Sequence, residues 1–277
     1  MESPDIFETF NRRIYAFVNE PENQRLIPAT GSYSTPFRGT VRGETEGARA
    51  TSKLATGGVG VLWLGANPNV PESLERVLDP DSRNPSHFPS FERQMQSGRV
   101  GAQQWDEEGV PRVGWDPIGA PVRGWALYAD VLKGIAGDGG VAMANFLPWG
   151  SALARDFWTP MKASHPELLA RVLRFANDLN LEITQALRPQ LIVVPKSLGG
   201  SRELSETWIA SSRAMNTRLH ELPLTKRRFK FTTAQIEGRG ATWPVAYVPH
   251  PASLQYNGED RAKIREGLSA ALKLCIV

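Results

Sequence analysis

Cysteine is nearly absent from this sequence, and histidine is scarce. The 277 residues include one cysteine, Cys275, and four histidines. One cysteine excludes a disulfide framework within the chain and a zinc or iron–sulfur centre bound by several thiolates. The histidines at positions 87, 165, 220 and 250 show no ligand spacing such as two histidines one helical turn apart. Metal catalysis is therefore disfavoured, with a carboxylate site as the alternative, and we expect neither a metal nor another cofactor.

Long hydrophobic runs are also missing. A membrane-spanning helix needs about 18 to 20 apolar residues in succession, and no stretch of this chain approaches that length. The first residues, MESPDIFETF, are acidic and lack the basic end and apolar centre of a signal peptide. With 41% hydrophobic and 22% charged residues, the composition is typical of a globular protein with one large domain or two small ones. We therefore expect a cytoplasmic protein without membrane contact.

Short apolar runs alternate with amphipathic helical patterns along the chain. Buried strands are predicted for GVLWLGA (apolar at 61–64), GVAMANFLPW (140–149), PQLIVVPKSLGG (apolar at 191–194) and WPVAYVPHP (243–251). Apolar residues at helical spacing predict helices within residues 122–137, 165–187 and 259–274. Strands that alternate with helices predict an α/β fold with a central four-stranded, mainly parallel sheet flanked by helices on both faces.

Polar residues lie at the ends of three of these predicted strands. Asn67 follows the first strand, Asn145 lies near the end of the second, and His250 follows the fourth. The carboxyl ends of parallel strands lie at one edge of a sheet, where α/β proteins bind ligands. Each residue has an ordinary explanation when taken singly: a tight turn, a capping group, or a loop histidine with its hydrogen bonds satisfied. Their joint placement favours convergence on one crevice.

Four short motifs, in order, resemble the uracil-DNA glycosylase superfamily. LGANPN resembles its first motif, in which a strand ends in Gly, a small or polar residue, Asp or Asn, and Pro. MANFLPW resembles the segment that supplies the base-reading asparagine, RPQLIVVPKSLGG resembles the next strand, and HPASL resembles the second catalytic motif. Asn67 in the first motif is most similar to the single-strand-selective monofunctional and mismatch-specific branches. The resemblance implies a glycosylase-like fold in residues 59–277, with residues 1–58 as an N-terminal extension packed on the core.

The resemblance also implies roles for the strand-end residues. Asn67 would position the attacking water, helped by the backbone near Gly65 and Ala66. His250, as a neutral ring, would donate a hydrogen bond to the departing base, where negative charge accumulates. Asn145 would read the base, because its amide offers both donors and an acceptor. Since no lysine adjoins either motif in the sequence to form a Schiff base, we expect a monofunctional enzyme that leaves an abasic site.

Further residues are candidates for binding the base and the DNA. Phe88 or Phe91 would stack on the extruded base, although both are equally suited to a core. Leu254 would fill the gap left by the flipped nucleotide and Ser253 would contact a phosphate, but a leucine after a turn is also an ordinary buried residue. The basic cluster contains Lys226, Arg227, Arg228 and Lys230; it is either a phosphate-contacting patch or a solvated basic face.

Asn69 bears on the choice of substrate. Its position carries Gly in the branches that the first motif most resembles and Tyr in the most familiar branch. The stretch from Gly200 to Val245 is also longer than is usual in the superfamily. A pocket that admits a polar group on carbon 5 of a pyrimidine is one interpretation; a turn-forming Asn69 and plain uracil as substrate is the other.

Together these features predict a monomeric DNA glycosylase without an obligate protein partner. It would excise uracil or a 5-modified pyrimidine from single- or double-stranded DNA, in repair or in antiviral defence against modified phage DNA. The main alternative is a non-catalytic DNA- or nucleotide-binding protein with the same fold, against which Asn67 and His250 argue. A nucleotide-processing hydrolase of another kind is disfavoured because the phosphate-loop pattern GxxxxGK[ST] is missing.

Overall fold

A mixed β-sheet with helices packed against it forms the core of the protein. The computed structural model describes residues 9–10, 13, 16–17, 20–24, 42–44, 58–65, 99–100, 103–104, 123–146, 162–196, 213–250 and 258–276. The strands of the main sheet are β1 (Arg42–Glu44), β2 (Val61–Gly65), β5 (Val141–Asn145), β6 (Leu191–Lys196), β7 (Arg213–Pro223), β8 (Arg228–Gly238) and β9 (Ala241–Pro249), and a separate pair is β3 (Arg99–Val100) and β4 (Gln103–Gln104). The helices are α1 (Pro21–Gln24), α2 (Arg123–Ala136), α3 (Pro166–Leu187) and α4 (Gly258–Ile276).

The centre of the sheet is parallel and its two sides are antiparallel. The strand order is β1-β5-β2-β6-β9-β8-β7. The neighbours β5, β2, β6 and β9 run parallel and overlap the four predicted strands, which confirms the α/β class. The predicted strand count was wrong, because the described sheet has seven strands. The difference arises because β1 pairs antiparallel with β5, and the β7–β8 hairpin extends the sheet beyond β9.

Helices cover both faces of this sheet, as predicted. Successive side chains of a strand point to opposite faces, and β2 shows the consequence. Leu62 and Leu64 pack in a core with the apolar side of α3, whereas Val61 and Trp63 pack in a second core with α2 and α4. Burial on both faces explains why the sequence of β2 is apolar throughout instead of alternating.

The long helix α3 has the boundaries expected from its sequence. Pro166 lies in its first turn, where a missing N–H breaks no helical hydrogen bond. The helix ends at Leu187, and Arg188 follows in the left-handed conformation with φ 43°. The side chains buried at three- and four-residue spacing are those of Leu169, Val172, Ala176, Leu179 and Ile183, which is the predicted amphipathic pattern.

The connections between the parallel strands change direction between β2 and β6. The chain passes from β2 through α2 to β5, and from β5 through α3 to β6 on the other side of β2. From β6 it continues to β7, β8 and β9, on the side of β6 away from β2. The chain therefore leaves β2 and β6 in opposite directions, and α/β proteins bind ligands outside the carboxyl ends of strands arranged in this way. Gly60 permits close packing at the opposite end of β2, because a Cβ there would lie 2.3 Å from the Ala136 Cα.

The described N-terminal residues pack against α3. Phe10 and Phe17 are buried in the core on that face, and the Phe17 ring stacks on Phe175 with 3.7 Å between ring centroids. Arg13 forms an ion pair with Glu182 of α3. The division into residues 1–58 and 59–277 stays a prediction. Among the described residues, no helix is both long and apolar enough to cross a membrane.

Candidate active site

The strand ends that carry the first motif and Asn145 lie side by side. Gly65, the last residue of β2, pairs with Asn145, the last residue of β5. The Phe146 N–H donates to the Gly65 carbonyl with an N···O distance of 2.8 Å. The buried Asn180 of α3 donates from Nδ2 to the Phe146 carbonyl at 3.2 Å. Hydrogen bonds therefore hold the ends of β2 and β5 together at the carboxyl edge of the sheet.

His250 lies at the same edge, beyond the end of β9. The register pairs Trp63 with Val193 in β6, and Val193 with Ala246 in β9. Continuing this register by two residues brings Gly65 level with Val248. Asn67 and His250 each follow two residues beyond that level in the sequence. The strand ends that lead into the two candidate catalytic motifs are thus level with each other at one edge of the sheet.

The distance between the two strand ends follows from the strand order. Neighbouring strands lie about 4.8 Å apart, so β2 and β9, with β6 between them, are separated by on the order of 10 Å. The segments that follow these two strands therefore begin close together, at the edge where α/β proteins bind ligands.

Burial sets the electrostatic state of His250. The ring is partly buried, and burial lowers the pKa of His250 below its ordinary value because it disfavours the charged imidazolium. At neutral pH the ring is therefore uncharged, with one nitrogen that donates a hydrogen bond and one that accepts. A neutral donor matches the predicted role at the departing base.

The basic cluster lies at the same edge as His250. The turn between β7 and β8 is closed by a hydrogen bond from the Leu224 N–H to the Arg227 carbonyl at 2.9 Å. Thr232 of β8 pairs with Tyr247 of β9, so the first residues of β8 run alongside the end of β9. Lys226, Arg227, Arg228 and Lys230 are all exposed there.

An acidic residue of β7 offsets part of this positive charge. Glu221 of β7 accepts from Arg228 at 2.8 Å and from Lys230 at 2.6 Å. These hydrogen bonds and charges lower the pKa of Glu221 below its ordinary value, Lys230 acting most strongly. Glu221 is therefore ionised at neutral pH and competes with any phosphate for the same two cations.

The hairpin turn is attached to the start of α4. The Asp260 carboxylate accepts from the Thr225 N–H at 3.0 Å and from its hydroxyl at 2.9 Å. The backbone hydrogen bond from Thr225 is the main cause that lowers the pKa of Asp260. The basic turn is therefore hydrogen-bonded to the helix that follows the HPASL motif in the sequence.

Several predicted site residues lie outside the described part of the chain. They are Ala66, Asn67, Asn69, Phe88, Phe91, Ser253 and Leu254. Their proposed roles stay predictions, as does the role of the Asn145 side chain, since only its backbone is described. Within the described residues, no group of three or more His, Cys, Asp or Glu side chains is arranged to hold a metal ion.

The sheet register adds a residue that the linear sequence did not suggest. Lys196, the last residue of β6, pairs with Pro249, immediately before His250. The sequence shows no lysine adjoining either motif, but Lys196 comes next to the second motif through strand pairing. In the sequence, only its position near the carboxyl end of a predicted strand indicated that Lys196 could belong to the site.

No protein-family model matches the chain, and no curated protein matches it.

Proposed function

We propose that this protein is a monofunctional DNA glycosylase that hydrolyses the bond between a flipped-out pyrimidine and its sugar. The observation that supports this proposal most is the convergence of three strand ends at one edge. Those ends precede Asn67, contain Asn145 and precede His250. A water-positioning amide, a base-reading amide and a neutral imidazole are the groups that such a reaction requires.

The chemistry follows from where charge develops. As the sugar–base bond breaks, the sugar becomes electron-poor and the base carries negative charge. His250, kept neutral by burial, stabilises that charge by donating a hydrogen bond to a carbonyl oxygen of the base. Asn67 orients the water that then adds to the sugar. An amide is a poor base, which suits a reaction in which bond breaking precedes the attack of water.

The basic hairpin supports DNA as the partner. Its exposed cations lie at the same edge as His250, so a DNA backbone bound along the hairpin brings a flipped nucleotide towards the strand ends. Asn145 then reads the Watson–Crick edge of the base. We expect the protein to act as a monomer on single- or double-stranded DNA.

The decisive experiment measures base release from a panel of oligonucleotides and phage DNAs that carry different bases, with alkali to cleave abasic sites. We expect His250→Ala and Asn67→Ala each to lower the single-turnover rate by roughly tenfold or more while DNA affinity is retained, as loss of one transition-state contact does. His165→Ala is the matched control, because His165 precedes α3 and makes no side-chain capping hydrogen bond.

Two outcomes contradict the proposal. Tight DNA binding without release of any base would favour a non-catalytic binding protein with this fold. Full activity in His250→Ala or Asn67→Ala would show that the assigned role of that residue is wrong.

Competition between substrates tests the base specificity. Asn69 lacks aromatic bulk and offers a polar group, so we propose that the pocket accepts a pyrimidine with a polar 5-substituent as well as uracil. DNA with uracil competes against DNA with 5-hydroxymethylpyrimidine, glucosylated or not. Release of uracil alone would overturn the large-pocket proposal, and release of the modified base alone would favour antiviral defence over repair.

A separate experiment tests whether the enzyme is monofunctional, with Lys196 as the candidate nucleophile. A glycosylase that also cleaves the DNA strand forms a Schiff base between a lysine and the sugar, and borohydride traps that adduct. We expect no trapped protein–DNA adduct. An adduct that disappears in Lys196→Met would show that the lysine opposite Pro249 acts as a nucleophile.

A further inference from the structure

A buried tyrosine holds the backbone immediately before His250. Tyr128 of α2 is fully buried, and its hydroxyl donates to the Pro249 carbonyl with an O···O distance of 2.6 Å. The two residues are 121 positions apart in the sequence. The hydrogen bond is part-buried, with a fully buried donor and a half-buried acceptor residue, so water competes little for the hydroxyl and the bond is stronger than one at the surface.

Proline makes this hydrogen bond more important than it would be elsewhere. Pro249 has no N–H, so its carbonyl is its one backbone hydrogen-bonding group. His250 lies between Pro249 and Pro251, and each proline ring restricts the adjacent backbone. The orientation of the Pro249 carbonyl therefore determines the plane of the peptide that leads into His250.

The Tyr128 ring is itself held by the strand of the first motif. Trp63 of β2 is buried and lies against Tyr128, with 5.5 Å between ring centroids and 57° between ring planes. Trp63 precedes Gly65 by two residues. Tyr128 therefore connects β2, which leads to Asn67, with β9, which leads to His250.

We propose that Tyr128 is a positioning residue whose hydroxyl, through the Pro249 carbonyl, fixes the orientation of the His250 ring relative to the first motif. This inference rests on the proposed catalytic role of His250. Tyr128 does not contact the substrate; it reduces the orientations that the imidazole samples. Small displacements of a catalytic group lower rates strongly, so removal of one hydroxyl oxygen should slow the reaction.

Tyr247 provides a matched control. It lies on β9, three residues before His250, and its hydroxyl is buried without a hydrogen-bond partner among the described residues. Its side chain packs in the α3-side core, on the opposite face of the sheet from Tyr128. Like Tyr128→Phe, Tyr247→Phe removes one buried hydroxyl group, but it breaks no described hydrogen bond.

The kinetic test compares Tyr128→Phe with Tyr247→Phe. We expect Tyr128→Phe to lower the single-turnover rate by between roughly tenfold and a hundredfold with unchanged DNA affinity, and Tyr247→Phe to stay within about twofold of the parent. In a His250→Ala background, Tyr128→Phe should have no further effect, because the ring that it positions is gone. Equal rates in the two tyrosine variants, or a full additional loss in the His250→Ala background, would overturn the proposal.

A spectroscopic test works without any activity. The ring resonances of His250 are assigned by their disappearance in His250→Gln and then compared among the folded variants. We expect them to shift or broaden in Tyr128→Phe and to be unchanged in Tyr247→Phe. Unchanged resonances in both variants would overturn the positioning role. If no DNA releases a base, the proposed function fails, and the resonances still decide whether Tyr128 fixes His250.

Discussion

At His250, burial determines the protonation state on which the proposed chemistry depends. A charged imidazolium would bind the departing base more strongly but would have to be kept charged in a partly buried site. Burial lowers the pKa of His250 instead. The ring is thereby neutral over the physiological pH range, and one of its nitrogens donates a hydrogen bond.

The first residue-scale prediction concerns pH. The midpoint of the His250 titration should lie below the ordinary histidine value of about 6.5, since burial lowers the pKa. The folded protein then binds the proton less readily than the unfolded chain. The stability contributed by the neutral ring is therefore complete above about pH 6.5 and is lost as pH falls from there through the folded-state pKa.

Two measurements check this prediction. Ring resonances recorded between about pH 5 and 8 give the midpoint directly, with His250→Gln to identify them. The single-turnover rate of base release should not depend on pH near neutrality. It should change only below about pH 6.5, the ordinary pKa of histidine. A midpoint above the ordinary value would contradict the neutral-donor role.

At the scale of elements, the β7–β8 hairpin is the larger of the features that the sequence analysis did not predict. RFKFTTAQIEG alternates in part between exposed and buried residues: Arg228 and Lys230 are exposed, and Phe229 and Phe231 are buried. This period of two is the ordinary signal of a strand with one solvated face. The pattern was present in the basic cluster, which was interpreted through its charge alone.

The element-scale prediction concerns how the charge of the hairpin affects DNA binding. Glu221→Gln removes the partner of Arg228 and Lys230, so both cations become available to phosphates. DNA affinity at low salt should rise, and the slope of log affinity against log salt should steepen by about one to two, in line with roughly 0.9 for each phosphate contact. Fluorescence-anisotropy titrations at several salt concentrations measure both quantities.

Glu237→Gln is the control for net charge. Glu237 is exposed on β8, near the end of the hairpin opposite to the basic turn. In the strand register it lies opposite Arg213 of β7 and Thr242 of β9. Glu237→Gln should leave the slope of log affinity against log salt close to that of the parent protein. An equal effect of both substitutions would assign the response to overall charge, and no effect of Glu221→Gln would place the hairpin outside the DNA interface.

At the scale of the whole molecule, the described N-terminal residues and the sheet share one core. Phe10 and Phe17 belong to the same buried cluster as the inner residues of β2, β6 and α3. Arg13 and Arg239 both pair with Glu182. Partial burial raises the pKa of Glu182, but the hydrogen bonds and charges of the two arginines outweigh it and leave the pKa below its ordinary value.

This shared core predicts that the N-terminal residues contribute to global stability. Phe17 is 7% exposed and stacks on Phe175, so Phe17→Ala should lower the free energy of unfolding by about 3 kcal/mol or more, as core phenylalanine truncations do. Urea denaturation should show one transition at a lower midpoint. Leu274→Ala, at a site 77% exposed, should change the free energy by less than about 0.5 kcal/mol. An unchanged midpoint in Phe17→Ala would mean that this segment does not stabilise the sheet.

The sequence by itself determined the local elements. Apolar runs identified the parallel strands β2, β5, β6 and β9, and helical spacing identified α2, α3 and α4, because these signals depend on solvation and steric preferences within a few residues. The alternation of strands and helices then limited the class to α/β. Asn67, Asn145 and His250 could be named as candidates because each comes at or after a strand end.

Only the tertiary structure decided which strands are neighbours and what lies beside each strand end. The pairing of Gly65 with Asn145, the position of Lys196 opposite Pro249 and the hydrogen bond from Tyr128 to Pro249 join residues far apart in the chain. In the sequence Tyr128 is one apolar position of a helix, and nothing local indicates which carbonyl its hydroxyl will meet. Such contacts depend on the packing of whole elements and on the need of buried polar groups for partners, which no short stretch of sequence specifies.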